Sequence, residues 1–108
     1  EKAYIYQDTM AIAKADDDIY NQINIAQAAD MLLTIDRVKA SFVIAKINDE
    51  TISISARSLG DVNVQLIMEE MDGGGHLTNA ATQISNQSID EVEEQLIETI
   101  ESYLEGRT

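Results

Sequence analysis

From Ser88 onward the apolar residues Ile89, Val92, Leu96, Ile100 and Leu104 recur at steps of three and four, with acids between them. That spacing lays one apolar stripe along a helix. Ser88 and Glu91 form the S-x-x-E pattern of a capping box at its start, and Gly106 supplies a stop. The pattern predicts a second helix over Asp18 to Thr34, Ala-rich in the middle, with Ile25, Ala28, Ala29, Leu32 and Leu33 on its inner face. A third, short helix is predicted from Val62 to Met71, striped by Val64, Ile67, Met68 and Met71 and ended by Gly73. Asp61 and Asn63 read as its caps.

Between the helices the period changes. Ser41 to Ile47 is almost continuously apolar and reads as a buried strand. Thr51 to Arg57 alternates strictly, with Ile52, Ile54 and Ala56 on one face and Ser53, Ser55 and Arg57 on the other. Asn48-Asp49-Glu50 between these runs predicts a hairpin. Met10 to Ala15 and Ala80 to Ser85 are two further strand candidates. The order β-α-β-β-α-β-α predicts an α/β fold, a mixed β-sheet of about four to five strands with helices packed on it. Nothing resembles a long linker, so residues 1–108 read as a single domain. With 44% hydrophobic residues, no Trp and one Phe, the core must be mainly aliphatic.

The charge balance narrows the partners. A formal net charge of −13 repels long nucleic acid and anionic membrane at a distance. Any anion site must rest on a few local donors. Seven of the 20 acids, Asp90, Glu91, Glu93, Glu94, Glu98, Glu101 and Glu105, read as the solvated face of the last helix. Asp16-Asp17-Asp18 reads as a negatively charged start to the second helix, favoured by its dipole. The absence of Cys excludes disulfides, thiolate metal sites and a cysteine nucleophile. No apolar run approaches the roughly 18 residues of a membrane span, and no secretory signal is visible. A first residue of Glu1, not Met, leads us to expect further chain upstream.

Two places can carry chemistry. One is Gly73-Gly74-Gly75-His76, where three of the five glycines are gathered. Successive glycines can turn N–H groups together as an anion nest, or can simply end a helix in a flexible turn. His76, the single histidine, can donate to a phosphate oxygen or exchange a proton near neutral pH, or be a satisfied surface residue. The other is Ser55-Ala56-Arg57-Ser58. The Arg57 guanidinium fits a phosphate, and the hydroxyls add donors. Among 20 acids, Arg57 can equally be a rim residue held by a carboxylate. One histidine and no compact acidic motif beyond Asp16–Asp18 are too few ligands for a two-metal hydrolase centre, so no catalytic or metal-binding residue is expected in this stretch. No Ser–His–acid, Walker or Rossmann pattern is present.

The string Met71-Asp72-Gly73-Gly74-Gly75-His76-Leu77-Thr78-Asn79-Ala80-Ala81 resembles the glycine-rich signature of DHH-family phosphoesterases, in their C-terminal DHH-associated domain. Ser55-Ala56-Arg57-Ser58 and Val62-Asn63-Val64 resemble the other two marks of that domain, in the same order. Ile25-Ala26-Gln27-Ala28-Ala29-Asp30 and Asn79-Ala80-Ala81-Thr82-Gln83 are most similar to the branch of GdpP-type cyclic-di-AMP phosphodiesterases. Thr82 stands where the family's nucleases tend to carry glycine. The resemblance implies a substrate-binding domain whose Ser55, Arg57, Ser58, Gly73, Gly74, Gly75, His76 and Asn79 grip a cyclic dinucleotide. It implies two divalent metal ions, typically manganese, in an upstream DHH domain of the same chain and none bound here. It also implies a cytoplasmic domain of a parent anchored in the bacterial cell membrane. This piece alone is expected to be inactive. The alternatives are a regulatory or dimerisation module, pairing through strand 41–47 or the third helix, and the substrate-binding domain of a DHH-family exonuclease or nano-RNA hydrolase.

Overall fold

The computed structural model describes residues 2–106. Its elements in chain order are β1 (Lys2–Tyr6), β2 (Met10–Ile19), α1 (Gln22–Leu32), β3 (Ala40–Asn48), β4 (Thr51–Ser58), α2 (Val64–Glu70), β5 (Gly74–His76), β6 (Asn79–Ser85) and α3 (Ile89–Leu104). Six strands form one sheet in the order β1-β2-β3-β4-β6-β5. β2 and β3, whose connection runs through α1, are parallel, and the other neighbours are antiparallel. The α/β fold class agrees with the sequence. The sheet is wider than expected because β1 and β5, short edge strands, carry too few residues to show a pattern.

The alternation along each strand sorts residues into two layers. Phe42, Ile44, Ile52, Ile54 and Ala56 face α2 and α3, where Ile67, Met68, Val92, Leu96 and Ile100 complete the main core. Val43, Ala45 and Ala13 face the opposite way, under Ile25 and Ala29 of α1. Each fully buried Leu or Ile contributes about 1.5–3 kcal/mol. Leu96→Ala, at a side chain with no exposure, would cost about 2–5 kcal/mol.

Side-chain bonds hold the helices to the sheet. At the start of α3, Ser88 Oγ accepts from Glu91 N at 3.0 Å and Glu91 Oε1 from Ser88 N at 2.8 Å, so the capping box forms as the sequence foretold. Lys14 of β2 meets Glu93 and Asp90 of α3, both at 3.0 Å, and these bonds raise its ammonium above the ordinary lysine range. At the other face, Gln22 of α1 accepts from Ser53 Oγ at 2.8 Å and donates to Ser55 Oγ at 3.0 Å. Ser41 Oγ donates to Ala29 O at 2.7 Å, so α1 is pinned near both ends.

Several expected boundaries move, most of all the start of the second helix. Asp16–Asp18 lie in β2, not at a helix start. Ile19 still pairs with Lys46, and Tyr20 N–H bonds Lys46 O at 2.8 Å, which keeps the chain extended past the acids. The cap of α1 is Asn21, whose Oδ1 accepts from Asn24 N at 2.8 Å. Asn63 caps α2 as expected, whereas Asp61 pairs with Lys39 at 3.1 Å. β3 lies between β2 and β4, so strand 41–47 has no free edge through which a second chain could pair. Among the described residues no helix is long and apolar enough to cross a membrane.

Candidate functional site

The turn after β5 decides what stands beside Arg57. β5 and β6 form a hairpin with Leu77 and Thr78 at its tip. Both tip carbonyls are held by neighbouring elements. Leu77 O accepts from Val64 N at 3.1 Å and Ser58 Oγ at 3.3 Å, and Thr78 O accepts from Ser58 N at 3.0 Å. The hairpin is thereby locked against the end of β4 and the start of α2. Its register sets Asn79 opposite both Arg57 and His76. Directly opposed residues share a face, so Arg57, Asn79 and His76 form one row across three strands, about 10 Å wide. The next row in the same register is small: Ser55, Ala81 and Gly74.

This face is open. α1 packs over β3 and β4, while α2 packs on β5 and β6 from the opposite side. Asn79, His76 and Gln83 are exposed there. The result is a shallow polar shelf. Two deeper hollows lie elsewhere, one of about 450 Å³ lined by Lys2, Lys14, Asp16 and Asp90, the other of about 200 Å³ between α1 and Val43. Neither includes a residue of the row.

The three glycines have different reasons to be glycine. Asp72, at φ 64°, makes the left-handed turn after α2, and Gly73 N–H then bonds Met68 O at 2.8 Å. That amide is spent on the helix end, which corrects the expectation that Gly73 joins an anion nest. A Cβ on Gly73 would lie 2.2 Å from Ala81 O, and one on Gly75, whose φ is +144°, 2.5 Å from Asn79 O. Both are glycine because β5 presses onto β6. A Cβ on Gly74 would meet no atom within 4 Å, and its φ lies outside the left-handed range. The fold gives no reason for glycine there.

The serines also differ from expectation. Ser55 is 1% exposed with its hydroxyl on Gln22, and Ser58 is 5% exposed, bonding Leu77 O and accepting from Gly60 N at 3.1 Å. They build the site rather than line it. Arg57 is held by a carboxylate, as one of its two sequence readings allowed. Its Nε donates to Asp30 Oδ1 at 2.8 Å and its Nη1 to Ala56 O at 3.0 Å. Asp30 was missed because nothing in its helical pattern marks a strand-end partner 27 residues away. Among the described residues, no group of three or more His, Cys, Asp or Glu could hold a metal ion, so they do not fit the metal pair that the resemblance implies.

A family model described as the DHHA1 domain matches residues 3–106. The chain belongs to the DHHA1 domain family. This DHHA1 domain is 57% identical over 107 residues to the cyclic-di-AMP phosphodiesterase GdpP of Geobacillus thermodenitrificans, covering 98% of the chain and 16% of that relative. It is 51% identical over 105 residues to GdpP of Bacillus subtilis, covering 94% and 16%, and 51% identical over 109 residues to the cyclic-di-AMP phosphodiesterase PdeA of Listeria monocytogenes, covering 100% and 17%. The chain thus spans about a sixth of the length of the curated relatives it matches. Two solved structures share the fold. A pGpG-specific phosphodiesterase, PggH from Vibrio cholerae, superposes with TM-score 0.66 at 19% identity, over 93% of this chain and 35% of that one. An exopolyphosphatase-related protein from Bacteroides fragilis gives TM-score 0.70 at 24% identity, over 95% and 33%. Thr82 points to the covered side, and its Oγ1 donates to Met71 O at 2.7 Å. It steadies the end of α2 just before the glycines.

Proposed function

We propose that this domain recognises the phosphodiester of a cyclic dinucleotide, cyclic-di-AMP, as the substrate-gripping part of a larger phosphodiesterase. The observation that carries the proposal is the row Arg57–Asn79–His76 beside Gly74, which runs from the edge of α1 onto the part of the face that α1 leaves open. A guanidinium, a carboxamide and an imidazole offer directional donors to phosphate oxygens and a sugar hydroxyl. Gly74 lets the ligand come close to the backbone. The identities of 51–57% to cyclic-di-AMP phosphodiesterases, over nearly the whole chain, support the choice of ligand.

In this reading the two metal ions, with manganese the expected pair, and the water they activate belong to an upstream DHH domain of the same chain. The domain described here orients the substrate and shields one side of it. A shelf, unlike a pocket, needs an opposing surface, which that domain provides. The parent is anchored in the bacterial membrane with this domain on the cytoplasmic side. The net charge of −13 suits a small ligand held by local donors better than a long polyanion, which would gain from a basic track.

The test is a titration of the ¹⁵N-labelled chain with cyclic-di-AMP and with a linear oligoadenylate. Resonances of residues 73–79 and the Arg57 side chain are expected to move with the cyclic ligand, without turnover. Equal response to both ligands would favour the nano-RNA hydrolase reading. A concentration-dependent dimer with no response at these residues would favour the dimerisation module, and would end the present proposal.

A further inference from the structure

Asp30 is 62% exposed at its side chain, yet it takes the Nε–H of Arg57, which is 14% exposed. An ion pair this open adds little to stability. The surroundings of Asp30 nevertheless fix it with care. The carbonyl of the preceding residue, Ala29, accepts the Ser41 hydroxyl at 2.7 Å, and Ala29 itself is fully buried. Ser41 is the register partner of Arg57. The last turn of α1 is therefore bolted to the sheet in the row that carries Arg57, Asn79 and His76. Gln22 clamps the first turn to Ser53 and Ser55.

We propose that Asp30 is a positioning residue: it holds Arg57 by Nε and Ala56 O holds it by Nη1, so that the remaining N–H donors are set for a phosphate oxygen. This rests on the cyclic-dinucleotide reading of the same site. A guanidinium has five N–H donors in a rigid plane, so fixing two of them orients the other three. An arginine free to rotate would lose that side-chain freedom on binding. The carboxylate charge itself opposes the incoming phosphate. Positioning and repulsion thus act in opposite directions, and two substitutions separate them. Asp30→Asn keeps an oxygen acceptor for Nε and removes the charge. Asp30→Ala removes both.

The experiment is a cyclic-di-AMP titration of the 108-residue chain and its Asp30→Asn, Asp30→Ala and Arg57→Ala variants, with thermal unfolding of each as a control. The ¹⁵N signal of Arg57 Nε–H reports the contact directly. Asp30→Ala should weaken binding about three- to tenfold, within the range for ordering one long side chain, and the Nε–H signal should move toward that of a free arginine. Asp30→Asn should bind within about twofold of the parent sequence or tighter, because orientation is kept and repulsion is gone. Unfolding temperatures should stay together. Asp30→Ala binding as tightly as the parent, or more tightly, overturns the positioning role while leaving the site intact. Unchanged binding by Arg57→Ala instead overturns the reading of the site itself.

Discussion

Replacing Gly73, Gly74 and Gly75 by alanine, one at a time, separates what the fold requires from what a ligand requires. At Gly75 the new Cβ would sit 2.5 Å from Ala80 Cα and Asn79 O, with φ at +144°. Backbone strain of this kind costs about 1–3 kcal/mol, and overpacking about 1–3 kcal/mol more. At Gly73 the clash is with Ala81 O at 2.2 Å and Thr82 Cβ at 2.5 Å, and φ is ordinary, so about 1–3 kcal/mol from overpacking is the floor. A domain of this size loses roughly 4–8 °C in Tm per kcal/mol. Gly73→Ala should therefore melt at least about 4 °C lower and Gly75→Ala at least about 8 °C lower. Gly74→Ala meets nothing and narrows the unfolded ensemble, so its Tm should hold or rise by a few degrees, from about 0.4–1 kcal/mol. Its affinity for cyclic-di-AMP should nonetheless fall about tenfold or more, since a methyl group would stand where the ligand meets the backbone. Calorimetric melting and a binding titration on the same samples decide the matter. A Gly74→Ala chain that folds and binds normally would refute the claim that the ligand approaches there, and a Gly75→Ala chain of normal stability would refute the steric account.

The other expectations concern single side chains. Arg57→Ala and His76→Ala should each leave Tm within a few degrees and weaken cyclic-di-AMP binding about 10- to 100-fold, the range for a hydrogen bond to a charged group, measured by titration calorimetry. Ser58→Ala removes the bonds to Leu77 O and Gly60 N from a buried site, and should cost about 1–3 kcal/mol in urea unfolding, with binding lost in proportion to the unfolded fraction. Ser88→Ala breaks the capping box and should cost about 0.5–2 kcal/mol without touching affinity. The Tyr20 hydroxyl, bonded to Asp16 at 2.7 Å, holds that carboxyl below the usual aspartate range, helped by the Asp18 amide. Because the folded value is depressed, this contribution to stability is present above the unfolded aspartate value and lost as pH falls through the folded one. Tyr20→Phe should raise the Asp16 midpoint in a carbon-13 titration. An unmoved midpoint would show that the hydroxyl is not its cause.

Much of this architecture could be read from the chain because each clear element announced itself by two independent signals. The last helix had both stripe and cap, and the β3–β4 hairpin had both alternation and a polar turn. In two places a single signal misled. Asp16–Asp18 looked like a helix start because acids favour that position, but pairing with β3 carried the strand past them. The glycines looked like a turn, and so concealed β5, which is a strand only because Gly73 and Gly75 let it lie close on β6. The alternation in β4 correctly placed Ser55 and Arg57 on one face. It could not reveal that α1 covers one end of that face and leaves the other open. That is why Ser55 is spent on Gln22, and why the partner of Arg57 comes from a helix.

The same division suits the proposed anion site to an acidic domain. The acids of α3 lie on the far side of the sheet from the row, with Glu93 and Asp90 tied to Lys14 and Glu101 to Tyr6. Asp30, beside the row, is already engaged by Arg57. At physiological ionic strength charges more than about 8 Å from the phosphate through solvent are largely screened, so the total of −13 weighs less than this arrangement of neighbours. Added salt should consequently change the affinity for cyclic-di-AMP only slightly in the parent sequence. Reversing one acid of α3, such as Glu98→Lys, should leave it unaltered. A Glu98→Lys chain that binds several-fold more tightly at low salt would mean that the overall field governs the site, and the local geometry of Arg57, Asn79 and His76 would no longer suffice to explain recognition.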